Sequence, residues 1–438
     1  MQTLTDRRGH PRQLVPTLAV ALLALLLAGC STAANAGHAT SDTAVAAHPA
    51  HHDQHVAAAP LAAADLALRL ESLLGEHTVL AADMMRGRVR GDADFAQTAN
   101  AALGHTTDEM SDLVAGNFGS AAADRFRTLW AAHITALFDY AGGLADHSDS
   151  AQAGAKAELT EYESQLAGFF TDASQGRLDR GAAEAAVQMH VDHLLRQADA
   201  YAAHDYATAE QLYREGYSHT YGLGKVIAGA LVPPDQAAAL NAPVWQLHSE
   251  LGRLLAEHVV LIVNASRASV GNAPDLSAAG DAMNGNTRDL AAAVATLFGQ
   301  PAATDFQSLW ADHVDQIMAY AAAVVAHDSQ GRDAAVAKLG VFENRFASFL
   351  STATQQRLDS AGLAKALLMH DQMLLHQTDA YAAKQYAQAH SMADSTYTQM
   401  FDMAGQLADA FGATVAAKLP SGGPHTGLGG MAGVVGRN

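Results

Sequence analysis

A single cysteine, Cys30, is all that 438 residues provide. Without a second thiol the body of the chain has no disulfide, no cysteine-ligated zinc and no thiol nucleophile, so its stability rests on packing. Lys and Arg number 26 against 45 Asp and Glu, a formal net charge of -19. Such a chain lacks the clustered basic footprint that a phosphate backbone requires, which excludes a nucleic-acid partner. Aromatic residues are only 6% of the total and β-branched runs are scarce, which removes the usual material of strands. Reactive motifs are missing as well. The sequence holds no Glu-x-x-His pair of the ferritin-like kind, no His-Glu-x-x-His, no Gly-x-Ser-x-Gly, no phosphate-binding glycine loop and no dinucleotide fingerprint. Glu76-His77 and Glu257-His258 are adjacent pairs, which point about 100° apart on a helix and form no acid/base couple. Nothing among these motifs points to an enzyme.

What the chain does have is apolar surface. Hydrophobic residues make up 49%, mostly Ala and Leu, and Ala is the strongest intrinsic helix former. The expected fold class is all-α, with length for two or three ordinary domains.

The N-terminus reads MQTLTDRRGHPRQLVPTLAVALLALLLAGC, with Arg7, Arg8 and Arg12 ahead of an apolar run that begins at Leu14. A basic region, a short apolar region and small residues before a cut describe a secretory signal, and the run is short for a spanning helix. It resembles a bacterial lipoprotein signal: Leu27 to Cys30 matches the lipobox. That resemblance implies cleavage before Cys30 and a diacylglyceryl group on it, hence an anchor on the extracytoplasmic side of the cell membrane. Residues 31–60 follow as a polar, Ala-rich tether carrying His38, His48, His51, His52 and His55, a composition that can chelate Cu(II), Zn or Ni loosely. Residues 419–438 have the Gly and Pro content of a disordered tail.

Between the two ends the chain repeats itself. LLGEHTVL from Leu73 matches LLAEHVVL from Leu254 at a displacement of 181, and LWAAHITALFDYA from Leu129 matches LWADHVDQIMAYA from Leu309 at 180. The stretch from Arg177 matches that from Arg357, again at 180. These matches predict two tandem helical-bundle modules, 61–233 and 234–418, with Pro233 and Pro234 stopping the last helix of the first. Each module reads as six amphipathic helices; in the first they run over about 61–89, 95–117, 121–146, 151–171, 180–203 and 206–231. Short breaks between them favour antiparallel neighbours.

Histidines fall on the apolar stripes of these helices. Leu66, Leu70, Leu73, His77, Leu80 and Met84 advance by alternating fours and threes, as do Leu247, Leu251, Leu254, His258 and Leu261. His133 shares a face with Phe126, Trp130, Leu137 and Tyr140, and His313 repeats it. Val187, His190, Leu194, Gln197 and Tyr201 recur as Leu367, His370, Leu374, Gln377 and Tyr381. His147 and His327 lie at helix ends, where a C-terminal cap is the simpler role.

A buried imidazole with an unpaired nitrogen loses about 1–3 kcal/mol, so these inward histidines need partners. Two answers are open. In one, each histidine bonds a Glu, Tyr or backbone carbonyl, drawn from residues such as Glu163, Asp199, Tyr140 and their repeats, and holds helix register. In the other, three imidazoles from three helices converge on a transition metal. His193 and Met373, each three residues beyond its histidine, are then auxiliary donors, and exchange of His for Met favours copper ahead of zinc.

These residues resemble a family of secreted or membrane-anchored bacterial all-helical bundle proteins with shared core histidines. The likeness rests on Glu76-His77, Phe118-Gly119, Leu129-Trp130-x-x-His133, His190 and Tyr206, repeated in the second copy, and it covers about 61–233 and 240–415. It implies an all-α fold and weight on three histidines per module, and implies no activity. The expectation is therefore a lipoprotein whose metal ligands are His77, His133, His190, His258, His313 and His370, serving sequestration or handover. The alternative is a metal-free envelope scaffold that binds a protein or small ligand.

Overall fold

A computed structural model describes residues 61–418. The signal region, Cys30, the tether and the tail lie outside the described residues. Within them the chain is all-α, with thirteen α-helices and no strand. The first set runs α1 (Ala63–Arg90), α2 (Ala93–Phe118), α3 (Ser120–Ala145), α4 (Asp149–Ala173), α5 (Arg180–Ala202) and α6 (Tyr206–Leu231). A short α7 (Pro234–Ala237) and a 3-10 turn (Ala238–Asn241) follow the proline pair. The second set is α8 (Pro243–Val270), α9 (Leu276–Phe298), α10 (Gln300–Val325), α11 (Ser329–Ala353), α12 (Ser360–Ala382) and α13 (Tyr386–Lys418).

Local chemistry sets these boundaries. Asp92, Ser148, Asp179, Asp205, Asp328 and Asp359 each accept a backbone N–H in the first turn of the helix they precede, which satisfies donors that have no partner inside the helix. Gly119 and Gly299 take φ of 85° and 89° at the α2–α3 and α9–α10 corners, where a side chain would be strained. His147 and His327 take φ of 53° and 52° just past α3 and α10, so both are helix-end residues outside the core.

Consecutive helices pack as neighbours, and α6 returns against α1 as α13 returns against α8. The same order and the same pairings thus appear in both sets, with α1 and α8 at their centres. The sets meet along α1–α8, α6–α9 and α2–α13, and one continuous apolar cluster runs through both. Polar contacts across the seam include Trp245 Nε1 donating to the Ala64 carbonyl at 3.1 Å, Tyr397 to the Ser72 carbonyl at 3.1 Å and Arg267 to Asp83 at 2.8 Å.

The tightest approach inside a set is at Gly224, on α6. A Cβ there would stand 2.4 Å from the Glu71 backbone nitrogen and 2.7 Å from its Cα. Backbone on both sides leaves nothing flexible to yield. Gly224→Ala is therefore expected to destabilise the protein by about 1–3 kcal/mol through separation of α1 and α6, despite alanine's better helix propensity. Urea unfolding of the two proteins checks this; an unchanged or raised midpoint would refute the contact.

Candidate metal centres

Each stripe histidine lands where its spacing places it. In the first set α1 supplies His77, α3 His133 and α5 His190, and one nitrogen from each ring lies within 4.8 Å of the others. In the second set α8, α10 and α12 bring His258, His313 and His370 together in the same way. Exposure is 0%, 0% and 4% in the first cluster and 0%, 1% and 2% in the second, so both are sealed.

The rings face one another through their nitrogens. His77 Nε2 and His133 Nε2 are 3.1 Å apart, and His258 Nε2 and His313 Nε2 are 3.3 Å apart. Two nitrogens bound to one tetrahedral zinc stand about 3.3 Å apart, given bonds of about 2.0–2.1 Å. His190 bonds Thr220 Oγ1 through Nδ1 at 2.9 Å, which leaves Nε2 without a partner. A ligand histidine held through its other nitrogen has this arrangement. His370 has no hydrogen bond at either nitrogen.

Several of the residues expected to satisfy the histidines are engaged elsewhere. Tyr140 bonds Asp199 at 2.6 Å and Tyr320 bonds Asp379 at 2.9 Å. Gln197 accepts from Arg86 at 3.0 Å. The side-chain hydrogen bonds made by the cluster imidazoles are His77–His133, His258–His313 and His190–Thr220.

Aromatic walls complete each cluster. Trp130 packs 4.6 Å from His77, and Tyr162 stacks on His133 at 4.4 Å. Trp310 and Phe342 take the equivalent places at 4.6 Å from His258 and 4.7 Å from His313. Burial pushes all six imidazoles below the ordinary value, and for most of them a neighbouring imidazole pushes further. His370 falls to about 4, through burial partly offset by the Gln399 side chain. All six rings are therefore neutral near pH 7, the state in which imidazole ligates metal.

The clusters differ by one neighbouring carboxyl. Asp371 Oδ1 stands 3.3 Å from His313 Nδ1, and burial together with Glu343 holds the Asp371 carboxyl well above the usual range. Val191 occupies that place in the first set. Sequence reasoning passed over Asp371 although it adjoins His370, because attention to the three-residue step led to Met373. Thr220 was missed because a threonine inside a helix carries no spacing signal. His193 stays outside the first cluster, with its ring 5.6 Å from that of His219. Met373 is half-buried on α12.

No protein-family model, curated protein or solved structure matches this chain. No helix among the described residues is long and apolar enough to cross a membrane.

Depressed imidazole pKa values set a sign for stability against pH. The unfolded chain takes up protons near pH 6.5 where the folded clusters do not, so stability is full above that pH and lost as pH falls. Each titrating imidazole contributes a slope of about 1.4 kcal/mol per pH unit. Glu71, raised by burial to about 7, acts in the opposite sense over part of the range, as do the raised carboxyls of Glu76, Glu163, Glu343 and Asp371, while the lowered imidazoles of His193 and His390 add to the six. Urea unfolding of metal-free protein is expected to give a lower stability at about pH 5 than at about pH 7.5. The loss is expected to shrink in His77→Leu, and an equal loss in both proteins would contradict buried neutral clusters.

Proposed function

We propose that the protein is an extracytoplasmic lipoprotein, anchored through a lipid on Cys30, whose two histidine clusters each hold one transition-metal ion for sequestration or handover. The observation that carries this reading is the convergence of three buried, neutral imidazoles from three helices, one nitrogen of each within 4.8 Å of the others. Copper stands ahead of zinc. A neutral three-imidazole set sealed from water balances a single positive charge better than two, and three nitrogen donors suit Cu(I) without a bound water. Asp371 gives the second cluster a carboxylate that can offset the greater charge of a divalent ion.

The internal repeat supports a tandem origin for the two sets, and with it one ion per set. The lipobox match supports the anchor, with the His-rich tether between membrane and body. The family resemblance supports the weight placed on the same three positions.

Binding is tested on a chain beginning at residue 61, which removes the tether histidines. Anaerobic titration with Cu(I), and separately with Zn(II), is expected to give two tight equivalents per chain. In His77→Ala/His133→Ala/His190→Ala one equivalent should disappear, with the other retained. No tight binding, or two equivalents surviving the triple substitution, would sink the metal reading and leave the envelope-scaffold alternative.

A further inference from the structure

Along the seam the two repeats disagree in charge, and both disagreements face one cavity. On α13, His390 stands where α6 has Glu210, and Asp394 stands where α6 has Arg214. In the first set Arg86 is fully engaged: it donates to Glu210 at 2.6 Å, to Gln197 at 3.0 Å and to the Ala209 carbonyl at 3.3 Å. Its counterpart Arg267 finds no carboxylate in its own set. Arg267 Nη1 reaches across to Asp83, its guanidinium lies over the Phe95 and Tyr381 rings, and its Nε and Nη2 have no hydrogen-bond partner. His390 also leaves Nε2 unpartnered, and burial beside the Arg267 charge keeps the ring neutral. Arg267 is 6% and His390 5% exposed, so both are buried side chains whose free nitrogens have no partner within the protein.

At the other end of the cavity the imbalance has the opposite sign. Arg214 joins Glu257 at 2.9 Å to Asp289 at 2.8 Å. The matching positions are Glu76, Asp394 and Glu109, three carboxyls with no arginine among them. The exposed Arg69 pairs with Glu109 alone. Three carboxyls with no buried cation between them, against the Arg214-centred pair of ion pairs in the other set, mark a place short of positive charge.

Arg267, His390, Glu76, Asp394 and Glu109 line one cavity of about 380 Å³ between α1, α2, α8 and α13, within the size range of small-molecule sites. His390 and Asp394 are one turn apart, about 6 Å along α13. We propose that this cavity binds a compact molecule bearing both an amine and a carboxylate, of the free amino acid class. Its carboxylate meets Arg267 and His390, and its ammonium meets Glu76, Asp394 and Glu109. The ligand thereby supplies the two charges that Glu210 and Arg214 supply internally elsewhere. A metal ion would leave the Arg267 donors unmet, and a simple anion would face three carboxyls. The residues of this cavity are distinct from those of the histidine clusters, so the proposal stands or falls apart from metal binding.

The test is calorimetry and thermal unfolding of the full chain, stripped of metal by chelator dialysis, with the common L-amino acids as probes and ethylamine and acetate as half-ligand controls. Two variants restore the first set's chemistry: His390→Glu gives Arg267 a carboxylate, and Asp394→Arg gives Glu76 and Glu109 a cation. Both are expected to raise the melting temperature of the unliganded protein. The proposal expects at least one amino acid to bind and stabilise the wild type, neither half-ligand to match it, and each variant to weaken binding by about tenfold or more. It is overturned if no amino acid binds the wild type, if ethylamine or acetate alone does as well, or if binding survives in both variants.

Discussion

An imidazole taken out of water carries a donor and an acceptor that still require partners, and six such rings sit in this core. Each set buries three of them, and in both sets ring nitrogens remain without a hydrogen-bond partner. The rings turn to one another instead, at nitrogen separations set by the packing of the helices that carry them. Aromatic walls on either side fix the ring planes and keep water out. The arrangement leaves the outer Nδ1 atoms of four rings without partners, and an ion bound as proposed would add coordination bonds at the converging nitrogens.

The helices around each cluster are held by polar pairs placed away from it. Arg86 with Gln197 and Glu210 ties α1 to α5 and α6, and Tyr140 with Asp199 ties α3 to α5. These are the elements that bring His77, His133 and His190 to one point. Because the polar pairs satisfy one another, none of them competes for the imidazole nitrogens. Separation of the two kinds of buried polar group, self-paired girders and open-ended rings, is what makes the site available.

Much of this could be read from spacing. The alternating step of fours and threes through His77 and His258 placed those rings inward, and Phe126 to Tyr140 did the same for His133, since a helix converts periodicity directly into facing. The six helices of each set emerged because Gly119, Gly299 and the capping Asp and Ser residues mark their ends locally. Convergence of the three rings was not readable, because helix order in a bundle and the height of each histidine along its neighbour are tertiary facts. Asp371 shows the same limit: its contact with His313 joins α12 to α10 and leaves no trace in either helix's own pattern. The seam between the sets was likewise hidden, as Asp83 and Arg267 lie 184 residues apart.

The seal around the histidines has a kinetic side. His77, His133, His258 and His313 are at most 1% exposed, so an ion bound as proposed would pass through the narrow apolar pockets that reach His190 in one set and His313 and His370 in the other, or wait for helices to part. Such openings draw on a large share of the free energy that holds the fold together. Residence of an ion bound as proposed would then depend on how often the bundle breathes as well as on the strength of the bonds inside it. On the metal reading proposed above, such a protein would release its ion slowly, and faster release would call for a partner that parts the helices.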